Sequence, residues 1–275
     1  MTDPANPPLI LEPENLEEAL AAGNCVLVDI GAPDTYVQRH IPGAVFLEYA
    51  WILEKKPPVM GLLPSPRRLA NVLGATGITP ESHVIAYDDE GGGRAARLLW
   101  TLDVIGHRSF SLLNGCLPAW VGDGRATADE ITVPTPARYP EPAPVQTGAG
   151  YADRDYVLAA LGKSDTVILD ARSAFEYDGR KALAKRGGHI PGAVHLEWTE
   201  ALDRSRNMRL KQPDELRTLF ASAGATPEKE IITHCQTHHR SALTYAVLKS
   251  LGYERIQGYA GSWSEWGNAD DTPVG

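Results

Sequence analysis

The 275-residue sequence is poor in cysteine, in long apolar runs and in positive charge, and each shortage excludes a class of protein. Its three cysteines, Cys25, Cys116 and Cys235, are too few and too scattered for the disulfide framework of a small secreted domain. No stretch approaches the roughly 18 apolar residues that a membrane-spanning helix needs. Because 35 acidic residues outnumber 26 basic ones, the formal charge of −9 disfavours nucleic-acid binding.

The beginning of the sequence also lacks the basic and then apolar order of a secretory signal peptide, since residues 1–8 are polar and rich in proline. Together with the scarce cysteines, this favours the reducing cytoplasm as the location. The composition is ordinary for a globular protein, with 43% hydrophobic and 22% charged residues. The length suits one large domain or two smaller ones, each able to bury its own core.

The sequence repeats itself once, and the repeat determines the predicted architecture. An apolar run that ends in aspartate occurs at residues 26–29 and again at 167–170. A His-Ile-Pro-Gly-Ala-Val turn occurs at residues 40–45 and again at 189–194. Further matches follow in the same order and pair residues 47–49 with 196–198 and residues 74–81 with 221–228. Because the period is about half the chain, the sequence predicts a duplicated domain.

Prolines mark the boundary between the two copies. Residues 132–150 contain five prolines and few large apolar side chains, which predicts an extended linker. The predicted division is an N-terminal domain over residues 1–131, this linker, and a C-terminal domain over residues 151–275. In both copies, short β-branched runs alternate with helical patterns. The predicted strands include residues 83–87 and 230–234, and the predicted helices include residues 66–73, 94–105, 213–220 and 240–251. This alternation indicates two homologous α/β domains, each a mainly parallel sheet flanked by helices.

The connection between a strand and a helix in the second copy carries the candidate chemistry. A predicted strand over residues 230–234 ends just before Cys235, and a predicted helix begins near Arg240. Ligands of parallel sheets bind beyond the carboxyl ends of the strands, and a helix N-terminus favours negative charge. His238, His239 and Arg240 add positive potential. The sequence therefore predicts a lowered pKa and a nucleophilic thiolate for this cysteine.

Other interpretations of Cys235 stay open at this point. It can be a structural cysteine, although a buried apolar site is seldom crowded with histidine and arginine. It can belong to a zinc site, because His234, His238 and His239 are candidate ligands close by, although no second ligand pair follows at finger-like spacing. It can also be a phosphatase nucleophile. Cysteine phosphatases share a Cys-x5-Arg loop, whereas the Cys-x4-Arg spacing here gives a smaller ring of amides, which suits one sulfur better than a phosphate.

The first copy offers an internal comparison for this loop. Asp88 stands where the second copy has Cys235, and the loop that follows is one residue longer. Asp89 and Glu90 would repel an anion, so we expect the first copy to be catalytically inactive. A metal site at the two aspartates is disfavoured, since three glycines follow and no further ligand does.

The other two cysteines are not candidate nucleophiles. Cys25 begins an apolar run and is predicted to lie in the core. Cys116 is predicted to lie on a turn and to be partly exposed. Neither has basic neighbours that would lower its pKa.

The repeated turns and the cysteine loop resemble those of the tandem-domain rhodaneses, which are sulfurtransferases built of two homologous α/β domains. The resemblance rests on residues 40–44 and 188–193, on the loop 235–240, and on a Gly-Tyr-Ala-Gly-Ser-Trp segment at 258–263. It covers nearly the whole chain. In this family the cysteine of the C-terminal domain is catalytic and the N-terminal domain is inactive, which agrees with Asp88 in the first copy.

The loop sequence narrows the activity that the resemblance implies. Its Cys-Gln-Thr-His-His-Arg differs from the Cys-Arg-Lys-Gly-Val-Thr of typical thiosulfate rhodaneses and from the Cys-Gly-Ser-Gly-Val-Thr of mercaptopyruvate enzymes. It resembles a bacterial subgroup that uses thiosulfate, and its cationic character favours a dianionic donor over a keto acid. The resemblance implies transfer of the outer sulfur of thiosulfate to a thiophilic acceptor, such as cyanide, through a persulfide on Cys235. A mercaptopyruvate-type sulfurtransferase is the alternative.

The loop and the resemblance together assign the site residues. Cys235 is the predicted catalytic residue, and the residues predicted to bind the substrate are Gln236, Thr237, His238, His239, Arg240, Ser241 and Arg186. Arg240 is expected to clamp the oxyanions of thiosulfate, whereas Arg186 is either a pocket residue or a solvated charge. Arg172 is expected to be a structural partner of the loop. We expect no cofactor or metal, and a monomer whose partners are a small sulfur donor and a thiophilic acceptor.

Overall fold

The computed structural model describes residues 7–275, and the chain forms two compact units. Unit 1 consists of the described residues up to Ile52, Pro64–Pro144 and Leu202–Leu210. Unit 2 consists of Leu53–Leu63, Val145–Ala201 and Lys211–Gly275. Each unit therefore includes one short segment from the other half of the sequence. The predicted division at a linker did not include this exchange.

The strands and helices of the described residues follow the duplicated order. The strands are β1 (Ile10–Leu11), β2 (Cys25–Asp29), β3 (Val45–Phe46), β4 (Glu54–Lys56), β5 (Val59–Leu62), β6 (His83–Tyr87), β7 (Phe110–Leu113), β8 (Tyr151–Ala152), β9 (Thr166–Asp170), β10 (Val194–His195), β11 (Leu202–Asp203), β12 (Arg209–Leu210), β13 (Glu230–His234) and β14 (Ile256–Tyr259). The α-helices are α1 (Leu16–Ala21), α2 (Pro33–Gln38), α3 (Pro66–Ala75), α4 (Gly93–Val104), α5 (Cys116–Gly122), α6 (Arg154–Ala160), α7 (Ala174–Tyr177), α8 (Pro213–Ser222), α9 (Arg240–Ser250) and α10 (Ser262–Trp266). The 3-10 helices are Pro13–Asn15, Tyr49–Ile52, Trp198–Ala201 and Arg204–Arg206.

Each unit is built on a five-stranded parallel sheet. The strand order is β1-β7-β6-β2-β3 in unit 1 and β8-β14-β13-β9-β10 in unit 2, so the two sheets have the same topology. Every pairing within these two sheets is parallel. Parallel neighbours need crossover connections, which the helices between the strands provide. The predicted fold, two homologous α/β domains with mainly parallel sheets, is confirmed.

Local sequence signals account for the elements that position the candidate site. The central strands β6 and β13 are apolar runs that are buried at all five positions. Proline at the first position starts α3 and α8, and Ser65 caps α3 by accepting the N–H of Arg68 at 3.3 Å. A capping box between Gln212 and Glu215 starts α8. These helices lie where the sequence predicted them.

The core of unit 2 lies against the sheet that carries the candidate site. Trp263 and Trp266 on α10 are fully buried, and their indoles pack with the residues of the central strands. The buried members of this cluster are Ala152, Val157, Ala160, Ile168, Ile190, Ala193, Ile232, Tyr259, Trp263 and Trp266. Burial of large aromatic side chains on α10 therefore fixes that helix behind β13 and β14.

The two short segments that belong to the unit of the other half of the sequence each form an antiparallel hairpin. Hairpin β4–β5 comes from the first half of the sequence and belongs to unit 2, whereas β11–β12 comes from the second half and belongs to unit 1. In unit 1, Arg209 Nη2 donates to Asp123 Oδ2 at 2.6 Å, and the Leu210 N–H donates to Asn114 Oδ1 at 2.8 Å. The two hairpins occupy equivalent places in the repeat, because Met-Gly-Leu at 60–62 matches Met-Arg-Leu at 208–210.

The proline-rich segment lies between the two parallel sheets in the sequence, and its role as an extended linker stays a prediction. Residues 133–146 contain no helix or strand, and the Ala137 N–H donates to the Gly74 carbonyl at 2.8 Å.

Among residues 7–275, no helix combines the length and the apolar character that crossing a bilayer requires.

Candidate active site

Cys235 lies at the carboxyl end of β13, the middle strand of the unit 2 sheet. The loop 235–239 connects this strand to α9, which begins at Arg240. The cysteine backbone is held on both sides, since the Trp263 N–H donates to the Cys235 carbonyl at 2.9 Å and the Cys235 N–H donates to Ser262 Oγ at 3.3 Å. The strand, loop and helix therefore stand as predicted, with the cysteine side chain fully buried.

Several donors converge on the sulfur of Cys235. The backbone N–H groups of Thr237 and Ser241 and the Ser241 hydroxyl all donate to it. Burial on its own raises the pKa of Cys235, but the Arg240 charge and these hydrogen bonds outweigh burial and lower that pKa to about 7. In about half of the molecules, the Cys235 side chain is therefore a thiolate near neutral pH.

Arg240 is a fixed cation between the cysteine and a buried carboxylate. Its Nη1 and Nη2 donate to Glu176 Oε2 and Oε1 at 2.7 and 2.8 Å, while its side chain also donates to the Cys235 sulfur. The Glu176 side chain is only 4% exposed. Burial raises the pKa of Glu176, but hydrogen bonds and charge from Arg240 lower it to about 2. Such a bidentate pair holds the guanidinium in one orientation beside the sulfur.

Sequence reasoning missed Glu176. Its side chain is fixed locally, because Ser173 Oγ donates to Glu176 Oε2 at 2.8 Å in the capping box of α7. The Ser-x-x-Glu pattern of a capping box was the available signal. That pattern explains the helix start alone, because the partner Arg240 lies 64 residues further along the chain.

The other side chains of the loop 235–239 mainly stabilise the conformation of the loop. His238 is fully buried with a φ of +53°, a left-handed conformation that tightens the turn, and its Nδ1 lies 2.8 Å from Ser241 Oγ. The Gln236 side-chain amide donates to the Leu183 carbonyl at 3.1 Å. His239 is half-buried and immediately precedes α9. His238 thus supports the serine hydroxyl that donates to the sulfur.

Arg186 does not have the arrangement expected of a substrate-binding residue. Its Nη1 donates to the Thr272 carbonyl at 2.6 Å, and its Nη2 donates to the Trp266 carbonyl at 2.7 Å. Nη2 also bonds the Ala269 carbonyl and the Thr272 hydroxyl. The predicted pocket role is corrected here, because these oxygens occupy the guanidinium. Arg186 instead anchors its segment to the C-terminal residues.

A buried ion pair supports the strand ends beneath the cysteine. Arg172 Nε donates to Asp170 Oδ1 at 2.9 Å, and Arg172 Nη2 donates to the Gly188 carbonyl at 2.8 Å. His234 Nε2 lies 3.5 Å from Asp170 Oδ2. Burial lowers the pKa of His234 to about 4, so this imidazole is neutral at pH 7 and Arg172 is the cation that faces Asp170. These contacts give Arg172 a structural role beside Asp170 and Gly188, whereas the sequence predicted a partner of the loop.

The histidines near Cys235 do not converge as ligands. His238 turns to Ser241, whereas His234 lies beside Asp170. Among residues 7–275, no three His, Cys, Asp or Glu side chains are grouped so that they could hold a metal ion. The geometry therefore offers no support for the zinc interpretation.

The equivalent loop of unit 1 is closed by its own carboxylate. Asp88 is fully buried and accepts five backbone N–H bonds of 2.8–3.0 Å. The donors are Glu90, Gly91, Gly92, Arg94 and Ala95. The place that a sulfur takes among the amides of unit 2 is thus already filled by a carboxyl group in unit 1.

The remaining cysteines lie in environments that suppress the thiolate. Cys116 is fully buried at the start of α5, so its predicted partial exposure is wrong; the helix that begins there packs it inside. Burial and the Asp88 charge raise the pKa of Cys116 well above its ordinary value. Cys25 is half-buried, and burial raises its pKa as well. Cys235 is the one cysteine of the chain whose pKa is lowered.

The pH dependence of thiol alkylation should therefore be dominated by Cys235. We expect the rate of iodoacetamide modification at this residue to rise with pH through a midpoint near 7, because the thiolate is the reactive form. An unperturbed cysteine has its midpoint near about 8.5. Quenched samples analysed by peptide mass spectrometry report each cysteine separately. A Cys235 midpoint at or above the unperturbed value would contradict the electrostatic argument.

Comparison with known proteins identifies the chain. A model of the rhodanese-like domain matches residues 12–123 and again residues 153–269. The chain belongs to the rhodanese family. This rhodanese is 47% identical over 274 residues to a thiosulfate sulfurtransferase of Azotobacter vinelandii, with 100% of this chain and 99% of the relative covered. It is 46% identical over 267 residues to a thiosulfate sulfurtransferase of Pseudomonas aeruginosa, with 97% of both chains covered.

Solved structures confirm the fold of this rhodanese. It superposes with a TM-score of 0.85 on the anaerobic ergothioneine biosynthesis enzyme from Chlorobium limicola, covering 97% of this chain and 69% of that one. The sequence identity is 22%, so the likeness concerns the fold alone. The predicted family is confirmed together with its two α/β domains.

Replacement of Asp88 by cysteine should not create a second active site in this rhodanese. Asp88→Cys leaves a loop one residue longer than that of Cys235, and it keeps Asp89 and Glu90 beside the new thiol, where negative charge raises a thiol pKa. We expect one cyanide-labile sulfur per chain after incubation with thiosulfate, as in the unchanged protein. The control adds Cys235→Ser, which should leave none. Two labile sulfurs per chain would contradict this account.

Proposed function

We propose that this rhodanese is a thiosulfate sulfurtransferase in which Cys235 carries the transferred sulfur as a persulfide. The observation that carries the proposal is the set of donors and the Arg240 cation directed at one sulfur, which stabilise an anion there. Similarity over almost the full chain to the thiosulfate sulfurtransferases of Azotobacter vinelandii and Pseudomonas aeruginosa supports thiosulfate as the donor.

The proposed reaction has two half-reactions. In the first, the Cys235 thiolate attacks the outer sulfur of thiosulfate, a sulfur–sulfur bond forms, and the sulfur–sulfur bond of thiosulfate breaks with its electron pair leaving on sulfite. In the second, cyanide or another thiophile attacks the terminal sulfur of the persulfide, thiocyanate leaves when cyanide is the acceptor, and the thiolate returns. Atoms and charge balance in both halves, and the transferred sulfur keeps its oxidation level, so the cycle needs neither an oxidant nor a reductant. This is covalent catalysis of the ping-pong type.

Arg240 is the residue that we propose to bind the donor. A guanidinium has five N–H donors, and Glu176 takes two of them. The same side chain also bonds the Cys235 sulfur. A thiosulfate whose outer sulfur approaches Cys235 would place its oxyanions beside this cation. The N–H groups of Thr237 and Ser241 would then hold the persulfide that forms.

Steady-state kinetics with two donors test the proposal. We expect thiocyanate formation from cyanide to depend on thiosulfate, with a kcat/KM well above that for mercaptopyruvate. A higher kcat/KM for mercaptopyruvate would instead identify the alternative sulfurtransferase. Phosphate release from an aryl phosphate, without any sulfur transfer, would overturn both.

The partners proposed for this protein are a small anionic sulfur donor and a small thiophilic acceptor. The monomeric state, the cytoplasmic location and the lack of nucleic-acid or membrane binding stay predictions from the sequence. Light scattering of the purified protein measures the first of these directly.

A further inference from the structure

The hairpin β4–β5 packs directly on the loop that follows Cys235. A Cβ atom added to Gly61 would collide with the Thr237 carbonyl oxygen and would lie 2.8 Å from its carbon. The same atom would lie 2.9 Å from the Ala260 carbonyl oxygen. The Met60 N–H donates to Ser264 Oγ at 3.3 Å, which holds the hairpin to α10. A strand from the first repeat thus contacts the loop of the candidate site in unit 2.

Glycine is required at position 61 for space and not for its backbone conformation. Gly61 is absent from the residues with positive φ, so a residue with a side chain could adopt its backbone angles. The short distances to Thr237 and Ala260 exclude the side chain instead. In the second repeat the equivalent position is Arg209, whose guanidinium pairs with Glu12 and Asp123 in unit 1. The two hairpins have therefore diverged at this position.

The contact between Gly61 and the Thr237 carbonyl constrains the peptide group that joins Thr237 to His238. In a trans peptide the carbonyl oxygen and the next N–H point in opposite directions. Since the Thr237 carbonyl faces the hairpin, the N–H of His238 is directed away from the hairpin. The Thr237 N–H donates to the Cys235 sulfur, and His238 has the unfavourable φ of +53°. A rigid strand against the carbonyl therefore opposes the rotation of this peptide out of its strained conformation.

We propose that Gly61 is a positioning residue. Through it, the hairpin β4–β5 of the first repeat holds the loop 235–239 in the conformation that directs backbone N–H groups at the Cys235 sulfur. The inference rests on the proposed role of Cys235. It gives the first repeat a part in catalysis although its own loop is filled by Asp88. It also explains why the position against the loop has no side chain.

The substitution Gly61→Ala tests this role, because it adds one methyl group at the contact. We expect the alkylation midpoint of Cys235 to move to higher pH by about one unit, and kcat for sulfur transfer to fall roughly tenfold, as on loss of one charge-assisted hydrogen bond. The KM for thiosulfate should change less than kcat, since Arg240 is untouched. Ser264→Ala, which removes the acceptor of the Met60 N–H without adding volume, should shift both quantities in the same direction by a smaller factor.

The matched control is Gly122→Ala in unit 1. A Cβ atom there would collide with the side-chain amide of Asn207, which belongs to the other exchanged hairpin. This control adds the same methyl group against a hairpin in the unit that lacks Cys235, where the atoms it meets belong to a side chain and not to the backbone. We expect its Cys235 alkylation midpoint and its kcat to equal those of the unchanged protein.

The outcomes separate this inference from the proposed function. A folded Gly61→Ala protein with an unchanged Cys235 midpoint and kcat would overturn the positioning role while leaving Cys235 as the sulfur carrier. Equal changes of the alkylation midpoint and of kcat in Gly61→Ala and Gly122→Ala would also overturn the positioning role. Both substitutions would then affect the site only by lowering the overall stability of the protein. Failure of the unchanged protein to take sulfur from thiosulfate would refute the proposed function itself, and the alkylation midpoints would still report the loop contact. Circular dichroism and thermal unfolding establish that each variant is folded.

Discussion

Cys235→Ser should abolish sulfur transfer from thiosulfate to cyanide while leaving the fold intact. A serine hydroxyl forms no persulfide and stays protonated near neutral pH, so the first half-reaction has no nucleophile. Neither Cys25 nor Cys116 can take over, because burial raises the pKa of both thiols. Thiocyanate formation should fall to the rate measured without enzyme. Circular dichroism and the unfolding temperature should match those of the unchanged protein.

The matched control removes the other two cysteines together. The double variant Cys25→Ala, Cys116→Ala should keep most of the sulfurtransferase activity, since burial raises the pKa of both thiols and neither residue belongs to the loop 235–239. Its unfolding temperature should fall, because Cys116 is fully buried. Substantial turnover by Cys235→Ser would contradict the assignment of the nucleophile.

Arg240→Ala should lower kcat/KM for thiosulfate by roughly tenfold to a hundredfold. The loss of a hydrogen bond to a charged group costs about 1.5–3 kcal/mol, and about 1.4 kcal/mol corresponds to a factor of ten in rate. The substitution also removes the cation that lowers the pKa of Cys235, so the alkylation midpoint should move to higher pH. Discharge of a preformed persulfide by cyanide should slow less, because cyanide has one charge and needs no bidentate contact.

Glu176→Gln separates the charge of Arg240 from its orientation. This variant keeps the guanidinium but replaces the carboxylate that holds it at 2.7 and 2.8 Å. We expect a smaller loss of kcat/KM than in Arg240→Ala, and an alkylation midpoint that does not rise, since a negative charge has been removed. Stopped-flow measurement of the two half-reactions decides whether Arg240 clamps the donor. If Arg240→Ala slowed both halves equally and also lowered the unfolding temperature, Arg240 would be a cap of the loop and not a clamp.

The sequence was most informative where short-range patterns determine structure. The strands at residues 83–87 and 230–234 were predicted at the bounds that the structure shows, because continuous apolar β-branched runs are typical of buried parallel strands. The repeat located the cysteine loop by comparison with its altered copy. The helices after these strands differ from prediction by one residue at their ends, where fraying leaves the bounds poorly defined by sequence.

Long-range contacts account for what the sequence did not predict. Arg186 was assigned to the pocket because it precedes the second His-Ile-Pro turn, yet carbonyls near residues 266–272 determine where its guanidinium lies. Glu176 reaches Arg240 only through the folded sheet. The hairpin with Gly61 has a local pattern, but the unit on which it packs is decided by the tertiary structure. A sequence without aligned relatives gives no signal for such pairings.

The mass of the intact protein before and after thiosulfate tests the central claim most directly. The account predicts that thiosulfate adds the mass of one sulfur atom, that peptide mapping places this atom on Cys235, and that cyanide removes it with release of thiocyanate. Cys235→Ser treated in the same way should gain nothing. No gain of sulfur by the unchanged protein, or a cyanide-labile sulfur on Cys25 or Cys116, would contradict the account.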